Sequence, residues 1–359
     1  MQDQRMVVEV SGLEKTFSVK QKAPGLRGSW QALWRPVTTK VPAVADISFS
    51  LEEGEMLAFI GPNGAGKSTT IKMLTGILFP SAGQASVLGY TPWKQRRQLG
   101  YHIGSVFGQK PQLWYHLPPE DTFRLFARIY ELDLDDFRRR RDFLVEAFQI
   151  EQLLQVPVRK LSLGQRMKCE IAASLLHRPR IIFLDEPTIG LDVVAKEQIR
   201  DAIRTLNETE NVTIFLTSHD AADIEKLCKR VIIINHGRLI YDDRTSALKR
   251  EFLRRKIVDV RFAEALTESF CLPLVETLKQ GTYGVKLQFD TRDVPVEQVV
   301  QKIMLTKPCQ DINIADPPLE EIIREIYMDS GMEHLTTEIA EGAEGGGAVE
   351  AEASGTVAA

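Results

Sequence analysis

The stretch GPNGAGKS, residues 61–68, decides the fold of this chain, because it combines a glycine, four unrestricted positions and then Gly-Lys-Ser. A short apolar run, residues 56–60, precedes it, and residues 69–77 that follow have the composition of a helix. Apolar runs of that length are typical of buried strands. The stretch therefore predicts a strand, a tight loop and a helix start, which is the context that a phosphate-binding loop requires.

The residue types in this loop suit a phosphate ligand. Gly61, Gly64 and Gly66 allow backbone angles closed to other residues and let the main chain approach a phosphate without a Cβ in the way. The helix N-terminus adds partial positive charge, and Lys67 adds a full charge that reaches the β- and γ-phosphates. Ser68 contributes a hydroxyl for magnesium. A glycine-rich turn with an exposed lysine is the alternative for the motif taken alone.

Composition limits the class of protein. With 359 residues, 43% of them hydrophobic, the chain is long enough for one large domain or two with a full core. A net charge of -4 and a pI near 6.0 argue against a nucleic-acid binder held by bulk positive charge. Four widely spaced cysteines indicate neither a zinc site nor a disulfide framework, which fits a reducing cytoplasm. The apolar runs are too short to cross a membrane, and no export signal is expected.

Two β-rich segments precede the phosphate loop. Residues 6–10 and 47–51 have the alternation of antiparallel strands, with turn residues beside the second. Between them, residues 18–40 interrupt the β pattern with lysines, arginines, two tryptophans (Trp30 and Trp34) and no acid. Two interpretations of this insert stay open: an exposed loop, or a basic aromatic surface that touches lipid headgroups or a membrane protein.

After the phosphate loop the pattern changes from strand to helix. Residues 83–88 and 103–107 are expected to be short strands. Apolar residues then recur at helical spacing, which predicts a helical subdomain, residues 110–175, inserted in the sheet. The four consecutive arginines at 138–141 are expected to form a solvated helix face.

A helix is predicted over residues 166–176, and Ser162 and Gly164 lie just before it. A serine cap and a helix N-terminus together make a second anion site.

Polar residues follow two further apolar strands. The strand at 181–184 delivers Asp185 and Glu186 to the carboxyl edge of a sheet, where α/β proteins bind ligands. Asp185 suits magnesium, and Glu186 suits the activation of a water at a γ-phosphate. A second strand, residues 212–216, is followed by Thr217, Ser218 and His219. Together with the strand before the phosphate loop, three strand ends are therefore expected to contribute to one reaction.

In these motifs and their order the chain resembles, over residues 6–243, the nucleotide-binding subunit of an ATP-binding cassette (ABC) transporter. The motifs are Walker A, GPNGAGKST at 61–69; the glutamine loop, VFGQ ending at Gln109; the signature, LSLGQ at 161–165; Walker B, IIFLDE at 181–186; the D-loop, GLD ending at Asp192; and the switch histidine, His219. Leu163 departs from the commoner glycine of the signature. LSLGQRMK with TIGLD resembles the bacterial branch that drives efflux through separately encoded permeases.

The resemblance implies an α/β fold: a P-loop NTPase core with an antiparallel β subdomain and an inserted helical subdomain, within residues 1–243. It implies a subunit that binds and hydrolyses ATP, with magnesium. The residues assigned to nucleotide binding are Phe17, Gly61, Pro62, Asn63, Gly64, Ala65, Gly66, Lys67, Ser68, Thr69, Ser162, Gly164, Gln165 and Asp192. Those assigned to catalysis are Glu186, His219 and Gln109, and those assigned to magnesium are Ser68, Gln109 and Asp185.

The resemblance also gives individual roles to four of these residues. Phe17 is expected to stack on adenine, and Gln109 to couple magnesium and the attacking water to a membrane subunit. His219 is expected to hold the γ-phosphate, and Asp192 to lie at a dimer interface.

The expected partners are permease subunits and a second nucleotide-binding subunit, either a second copy or a close relative, at the cytoplasmic face of the membrane. The membrane surface is reached only indirectly, and no nucleic acid is expected. The competing hypothesis is a soluble ABC ATPase acting on DNA or ribosomes, but those proteins usually carry long coiled coils, zinc modules or two cassettes. A non-hydrolysing nucleotide sensor conflicts with the presence of Glu186 and His219. The substrate and the direction of transport stay open.

The C-terminal part changes character. Residues 256–330 alternate between strand and helix patterns and are expected to form a small α+β appendage, for which regulation, dimer support and capping of the core are all possible roles. Residues 338–359 consist mainly of Gly, Ala and Glu without aromatic residues, which predicts disorder.

Overall fold

The computed structural model describes residues 5–20, 38–108, 111–218, 220–252, 255–266, 268–316, 319, 321–323 and 326–327. Gln109, His219, residues 21–37 of the insert with both tryptophans, and the 338–359 tail lie outside the described residues. The chain divides into two compact units, Met1–Leu248 and Lys249–Ala359.

Nine strands are described in the first unit. They are β1 (Met6–Lys20), β2 (Thr38–Glu52), β3 (Met56–Ile60), β4 (Ala82–Val87), β5 (Ile103–Phe107), β6 (Ile181–Asp185), β7 (Thr213–Thr217), β8 (Arg230–Asn235) and β9 (Arg238–Arg244). Its helices are α1 (Lys67–Leu74), α2 (Arg96–Gly100), α3 (Pro119–Ile129), α4 (Leu134–Phe148), α5 (Leu163–Ser174), α6 (Val193–Glu210), α7 (Ala221–Leu227) and α8 (Thr245–Phe252), the last of which ends beyond the unit boundary.

A three-stranded antiparallel sheet, in the order β2-β1-β4, precedes and flanks the phosphate loop, as the β-rich segments predict. Its first two strands continue into the insert, where Ser18 pairs with Lys40 and Lys20 with Thr38. The prediction that the β pattern breaks at residue 18 is therefore wrong for these ends. Main-chain hydrogen bonds can extend a hairpin whatever the polarity of its side chains. The pattern of apolar residues therefore did not reveal these extended strand ends.

The six-stranded sheet has the order β5-β6-β7-β3-β8-β9, and only β9 runs antiparallel to its neighbour. Strands β6 and β7 are buried on both faces, which is why they read as continuous apolar runs. The ring of Phe215 contacts those of Phe59 and Phe183 in the core at tilted angles, with centroids 5.1 and 5.5 Å away. This order makes β3, β7 and β6 consecutive neighbours, so their carboxyl ends meet at one edge.

Several element ends differ from the predicted ones. Helix α1 ends at Leu74 rather than at 77, because Gly76 takes a positive φ of 71° that turns the chain. Helix α5 begins at Leu163 rather than at 166, because Ser162 is its N-cap. The strand predicted at 83–88 is Ala82–Val87, and Leu88 has a positive φ of 54°.

Helices α3, α4 and α5, with two short 3-10 turns at Glu151–Leu153 and Val158–Lys160, lie in the region predicted to be helical. The prediction of a solvated arginine face is wrong for Arg140, whose side chain is 1% exposed. Its Nε donates to Leu175 O at 3.0 Å, and its guanidinium pairs with Glu210. Four consecutive residues on a helix necessarily point to more than one face. Arg140 therefore points inward, where Glu210 compensates its charge.

The second unit contains the four-stranded antiparallel sheet β11-β12-β10-β13, built from β10 (Arg255–Phe262), β11 (Glu276–Gln280), β12 (Gly284–Asp290) and β13 (Cys309–Ala315). Helix α9 (Val296–Thr306) packs through Val299 and Ile303 on a core that includes Val258, Val260 and Leu287. Residues 319, 321–323 and 326–327 are helical and lie within the segment predicted as an α+β appendage. Within the described part of the chain, no helix is long and apolar enough to span a membrane.

Candidate functional site

A cavity of about 320 Å³ lies where β3 passes through the phosphate loop into α1. Loop residues 63–69 line it, together with Lys72, Ile77, Phe107, Gly108, Asp185 and Glu186. The polar residues come from the ends of β3 and β6, which the order of the sheet brings to the same edge. The cavity thus combines a basic loop with two carboxylates.

Two glycines of the loop have no room for a side chain. Gly66 has a φ of 107°, which disfavours every residue with a Cβ, and a Cβ placed there would lie 2.4 Å from Ala43 O. A Cβ on Gly61 would lie 2.5 Å from Ile234 O. Gly66 is also the N-cap of α1 and provides no side-chain cap, so the first turn of this helix presents its N–H groups to a ligand.

Lys67 is only 5% exposed and points back into the loop. Its Nζ donates to Gly61 O at 2.6 Å and to Pro62 O at 3.2 Å, and it lies 3.9 Å from Glu186 Oε1. Burial lowers the pKa of Lys67, while the carboxylates of Glu186 and Asp185 act in the opposite direction. The nearby carboxylates thus help to keep this buried lysine charged, as a phosphate ligand requires.

Thr217, the last residue of β7, binds both acidic residues at the end of β6, Asp185 through its carboxylate and Glu186 through its backbone N–H. Thr217 Oγ1 donates to Asp185 Oδ1 at 2.7 Å and accepts from Glu186 N at 3.1 Å. Glu186 itself has a φ of 55°, in the left-handed region that is uncommon for residues with a side chain. The fully buried threonine therefore fixes both the orientation of Asp185 and the strained backbone of Glu186.

The segments that carry Gln109 and His219 approach the same edge. Gly108 N donates to Asp185 O at 3.0 Å, and a Cβ on Gly108 would lie 2.9 Å from Glu186 O. Asp220 N donates to Ser218 Oγ at 3.0 Å. The described neighbours of Gln109 and of His219 thus lie at the ends of β5 and β7, whereas Gln109 and His219 themselves lie outside the described residues.

The signature residues form a capping box at the start of α5. Ser162 Oγ accepts from Gln165 N at 3.2 Å, and Gln165 Oε1 accepts from Ser162 N at 3.0 Å. Gly164 is needed by packing, because a Cβ there would lie 2.8 Å from Ala195 Cβ. Ser162, Gly164 and Gln165 are not among the described residues that line the phosphate-loop cavity.

Two other predicted binding residues lie at exposed positions. Asp192 is the N-cap of α6 and accepts from Ala195 N at 2.9 Å, beside the exposed side chains of Val193 and Val194. Phe17 is 38% exposed, with Lys15 Nζ 5.3 Å from its ring centroid. Neither residue belongs to the described lining of the phosphate-loop cavity.

The segment after Gln109 presents two exposed aromatic residues, Trp114 and Tyr115, which are 54% and 55% exposed. Glu170 of α5 anchors this segment, because its carboxylate accepts from Gln112 N at 2.8 Å and from Leu113 N at 3.4 Å. Burial raises the pKa of Glu170. An exposed aromatic surface is thus tied to the helix that begins at the signature.

Comparison with known proteins agrees with this geometry. Residues 44–189 match the protein family described as ABC transporter. The ABC transporter ATP-binding protein NatA of Bacillus subtilis (strain 168) is 35% identical over 201 residues, which cover 56% of this chain and 81% of NatA. The chain belongs to the family of ABC transporter ATP-binding proteins.

Two further similarities extend this result. The linearmycin resistance ATP-binding protein LnrL of Bacillus subtilis (strain 168) is 28% identical over 285 residues, covering 79% of this chain and 91% of LnrL. A solved ATP-binding subunit of an ABC transporter aligns with a TM-score of 0.56 and 28% identity, over 68% of this chain and 93% of that subunit. The expected P-loop NTPase fold and the ATPase activity are confirmed by this membership.

Sequence reasoning missed several residues at the site of this ABC ATPase. Lys72 lines the cavity four residues after Ser68, a spacing that places both on one face of α1 and was visible in the sequence. Phe107 lines it because β5 neighbours β6, which depends on the order of the sheet. Thr217 was expected at this edge, but its bonds to Asp185 and Glu186 were not, because they join residues 31 and 32 positions apart and no local pattern indicates such contacts.

Proposed function

We propose that this ATPase drives export through a transmembrane permease, bound at the cytoplasmic face of the membrane as one of two paired cassettes. The observation that carries the proposal is the exposed Trp114–Tyr115 surface, which follows Gln109 in sequence and is anchored to α5 by Glu170. Aromatic residues at an exposed, rigidly held position suit a protein interface. The resistance named for the similar protein LnrL favours the outward direction.

In the proposed nucleotide site, the loop N–H groups and Lys67 bind the β- and γ-phosphates, and Phe17 stacks on the adenine. Glu186 accepts a proton from the attacking water, and its position 3.9 Å from Lys67 Nζ keeps it within reach of a bound γ-phosphate. His219 holds the γ-phosphate. The elements of the cavity thus contribute positioning and charge, which is what phosphoryl transfer needs from a protein.

Magnesium fits the residues present, because a hydroxyl and a carboxylate line the same cavity and hard oxygen ligands suit this ion. Ser68 and Asp185, with Gln109, would hold the ion, which supplies positive charge to the phosphate oxygens when bound. Thr217 orients the Asp185 carboxylate for this purpose.

The pairing proposal rests on the separation of the signature from the phosphate loop. Subunits of this family form dimers and act with membrane permeases. Because the signature residues do not belong to the described lining of the phosphate-loop cavity, we infer that a second subunit brings a signature to the γ-phosphate. A symmetric pair completes both sites at once, and Asp192 would lie at that interface.

For the second unit we propose an accessory α+β domain, over residues 256–330, beyond the ATPase domain of residues 1–243. Its four-stranded sheet and α9 have a core of their own, which supports a separate domain.

The test of the coupling surface replaces Trp114 by glutamate. We expect transport in membrane vesicles that contain the copurifying permease to fall at least roughly 10-fold, because a buried interface charge without a partner is costly. The isolated subunit should keep its ATP turnover, because Trp114 does not line the nucleotide cavity. The control is Tyr101→Glu, because Tyr101 is also an exposed aromatic residue, with 39% of its surface exposed, but lies outside the segment after Gln109. Transport that is unchanged by Trp114→Glu would rule the surface out.

A further inference from the structure

One buried carboxylate joins three segments around the site. Asp223 of α7 is 0% exposed. Its Oδ1 accepts from Arg200 Nε at 2.7 Å, and its Oδ2 accepts from Ser218 Oγ at 2.6 Å and from the hydroxyl of Thr188. Four donor and acceptor groups from four different parts of the chain therefore meet with almost no access to water.

Each of the three donors belongs to a segment that matters for the reaction. Thr188 lies in the loop between Glu186 and Asp192. Ser218 follows the end of β7 and directly precedes His219 in the sequence. Arg200 is in α6, the helix capped by Asp192. The carboxylate thus connects the loop after β6 with the loop after β7 and anchors both on α6.

Asp220, on the other side of His219 in the sequence, is held by the same helix. Its Oδ2 accepts from Lys196 Nζ at 2.6 Å and lies 3.4 Å from Arg200 Nη2. Its N–H donates to Ser218 Oγ. Both sequence neighbours of His219 are therefore tied to α6.

This arrangement is poorly explained as a device for stability. Burying a carboxylate and a guanidinium removes the hydration of both, and replacing such a pair by apolar residues is often neutral or stabilising. What an apolar replacement does not provide is a fixed direction, whereas three hydrogen bonds on two oxygens define one geometry for each partner.

We propose that Asp223 is a positioning residue for ATP hydrolysis, which holds the loop between Glu186 and Asp192 in a fixed relation to the segment around His219. The proposal rests on the roles given above to Glu186 and His219. It assigns to Asp223 no contact with the nucleotide. Its effect passes through the hydroxyls of Thr188 and Ser218.

The experiment removes one hydroxyl at a time and leaves the Asp223–Arg200 pair intact. For Thr188→Val and for Ser218→Ala we expect the kcat of ATP hydrolysis by the full chain to fall at least roughly 10-fold, while KM for ATP changes less than about twofold, because the phosphate loop is untouched. Thr188→Ser, which keeps the hydroxyl, should restore kcat. A fall in kcat that Thr188→Ser does not restore, or an unchanged kcat in Thr188→Val, would overturn the proposal.

A matched control is Thr213→Val. Thr213 is fully buried, and its hydroxyl accepts one hydrogen bond from Gly54 N at 2.9 Å, at the opposite end of β7 from Ser218. This variant should lower the thermal midpoint at least as much as Thr188→Val but leave kcat within about twofold of wild type. An equal loss of kcat in both variants would mean that replacing any buried threonine has this effect. The proposed positioning role of Asp223 would then be ruled out.

The double variant Thr188→Val with Ser218→Ala tests whether both hydroxyls act through one oxygen. If they do, its loss of kcat is smaller than the product of the two single losses, whereas a full product would indicate independent effects and contradict the proposal. Glu186→Gln is measured in the same assay. Loss of turnover there, together with wild-type kcat in Thr188→Val, would overturn the role of Asp223 while leaving the proposed function standing.

Discussion

Helices α1 and α5 both begin at segments that the sequence predicts to bind a phosphate, yet their N-termini are built differently. The N-cap of α1 is Gly66, which makes no side-chain cap, whereas Ser162 caps α5 through a reciprocal pair of bonds with Gln165. The first helix thus directs its N–H groups at the cavity without competition from a side chain. At the second, Gln165 N is already bound to the serine hydroxyl. The start of α1 is therefore open to the phosphate proposed above, whereas the start of α5 already binds one of its own N–H groups.

The far ends of the two helices differ as well. Helix α1 is followed by its C-cap Thr75, whose hydroxyl donates to Ile71 O at 2.8 Å within the same turn. Beyond α5 lies His177, whose ring stacks on Tyr130 at 3.9 Å and whose Nε2 is 3.0 Å from Ile103 O. The end of α1 is therefore held by contacts within its own last turn, whereas the segment after α5 is held by contacts with other elements.

The largest effect should come from adding a methyl group to the N-cap of α1. In Gly66→Ala the Cβ meets Ala43 O, and the left-handed backbone that aims the N–H groups is strained. We expect ATP affinity to fall at least about 100-fold, or roughly 3 kcal/mol, as measured by calorimetry. Gly89→Ala is the control, because Gly89 has a φ of 83° with open space around it and carries the strain without the clash. Wild-type affinity in Gly66→Ala would show that the N–H groups of the phosphate loop are not held in a binding geometry by the backbone of Gly66.

The sequence predicts the starts of these two helices better than it predicts contacts between distant elements, for a physical reason. Spacing alone predicts the strand, loop and α1, because the glycines, Lys67 and Ser68 of the 61–68 loop each meet a local need. The cap of α5 was also visible, since Ser162 and Gln165 have the spacing of a capping box. The inward turn of Arg140 was not, because its partner Glu210 is 70 residues away. The network of Asp223 depends in the same way on which strands and helices become neighbours.

The next effect concerns the far end of α5 and depends on pH. Burial lowers the pKa of His177 from 6.5 to about 4, and its buried Nδ1 has no hydrogen-bond partner among the described residues. Between these values the unfolded chain binds the proton and the folded chain does not, so stability is lost as pH falls from about 6.5 towards 4. By pH 5 the loss due to this residue should reach about 2 kcal/mol.

The measurement is the urea unfolding of the full chain at several pH values, beside His177→Phe, which keeps an aromatic ring against Tyr130. The difference between the two unfolding free energies should grow as the pH falls. Glu170, whose pKa burial raises, acts in the opposite direction, but it is present in both proteins and cancels. Parallel profiles would show that His177 does not titrate in this window.

The smallest effect should come from the cap of α5. Removing the hydroxyl in Ser162→Ala leaves Gln165 N without its acceptor and should cost about 1 kcal/mol of unfolding free energy. The same serine is proposed to meet the γ-phosphate of a paired subunit, so its loss should also weaken ATP-dependent pairing. In sedimentation of the Glu186→Gln background with saturating ATP, we expect the dissociation constant of the pair to rise roughly 5-fold, or about 1 kcal/mol.

Ser162→Thr separates the two roles, because threonine is also an N-cap but carries a methyl group at an exposed position. It should keep the unfolding free energy, while the methyl group would hinder close approach of a phosphate and so weaken pairing. If stability and pairing changed together in both variants, the cap alone would account for Ser162. If Ser162→Ala left pairing unchanged, the difference between the two helix starts would have no part in joining the subunits, and the phosphate loop alone would hold the nucleotide.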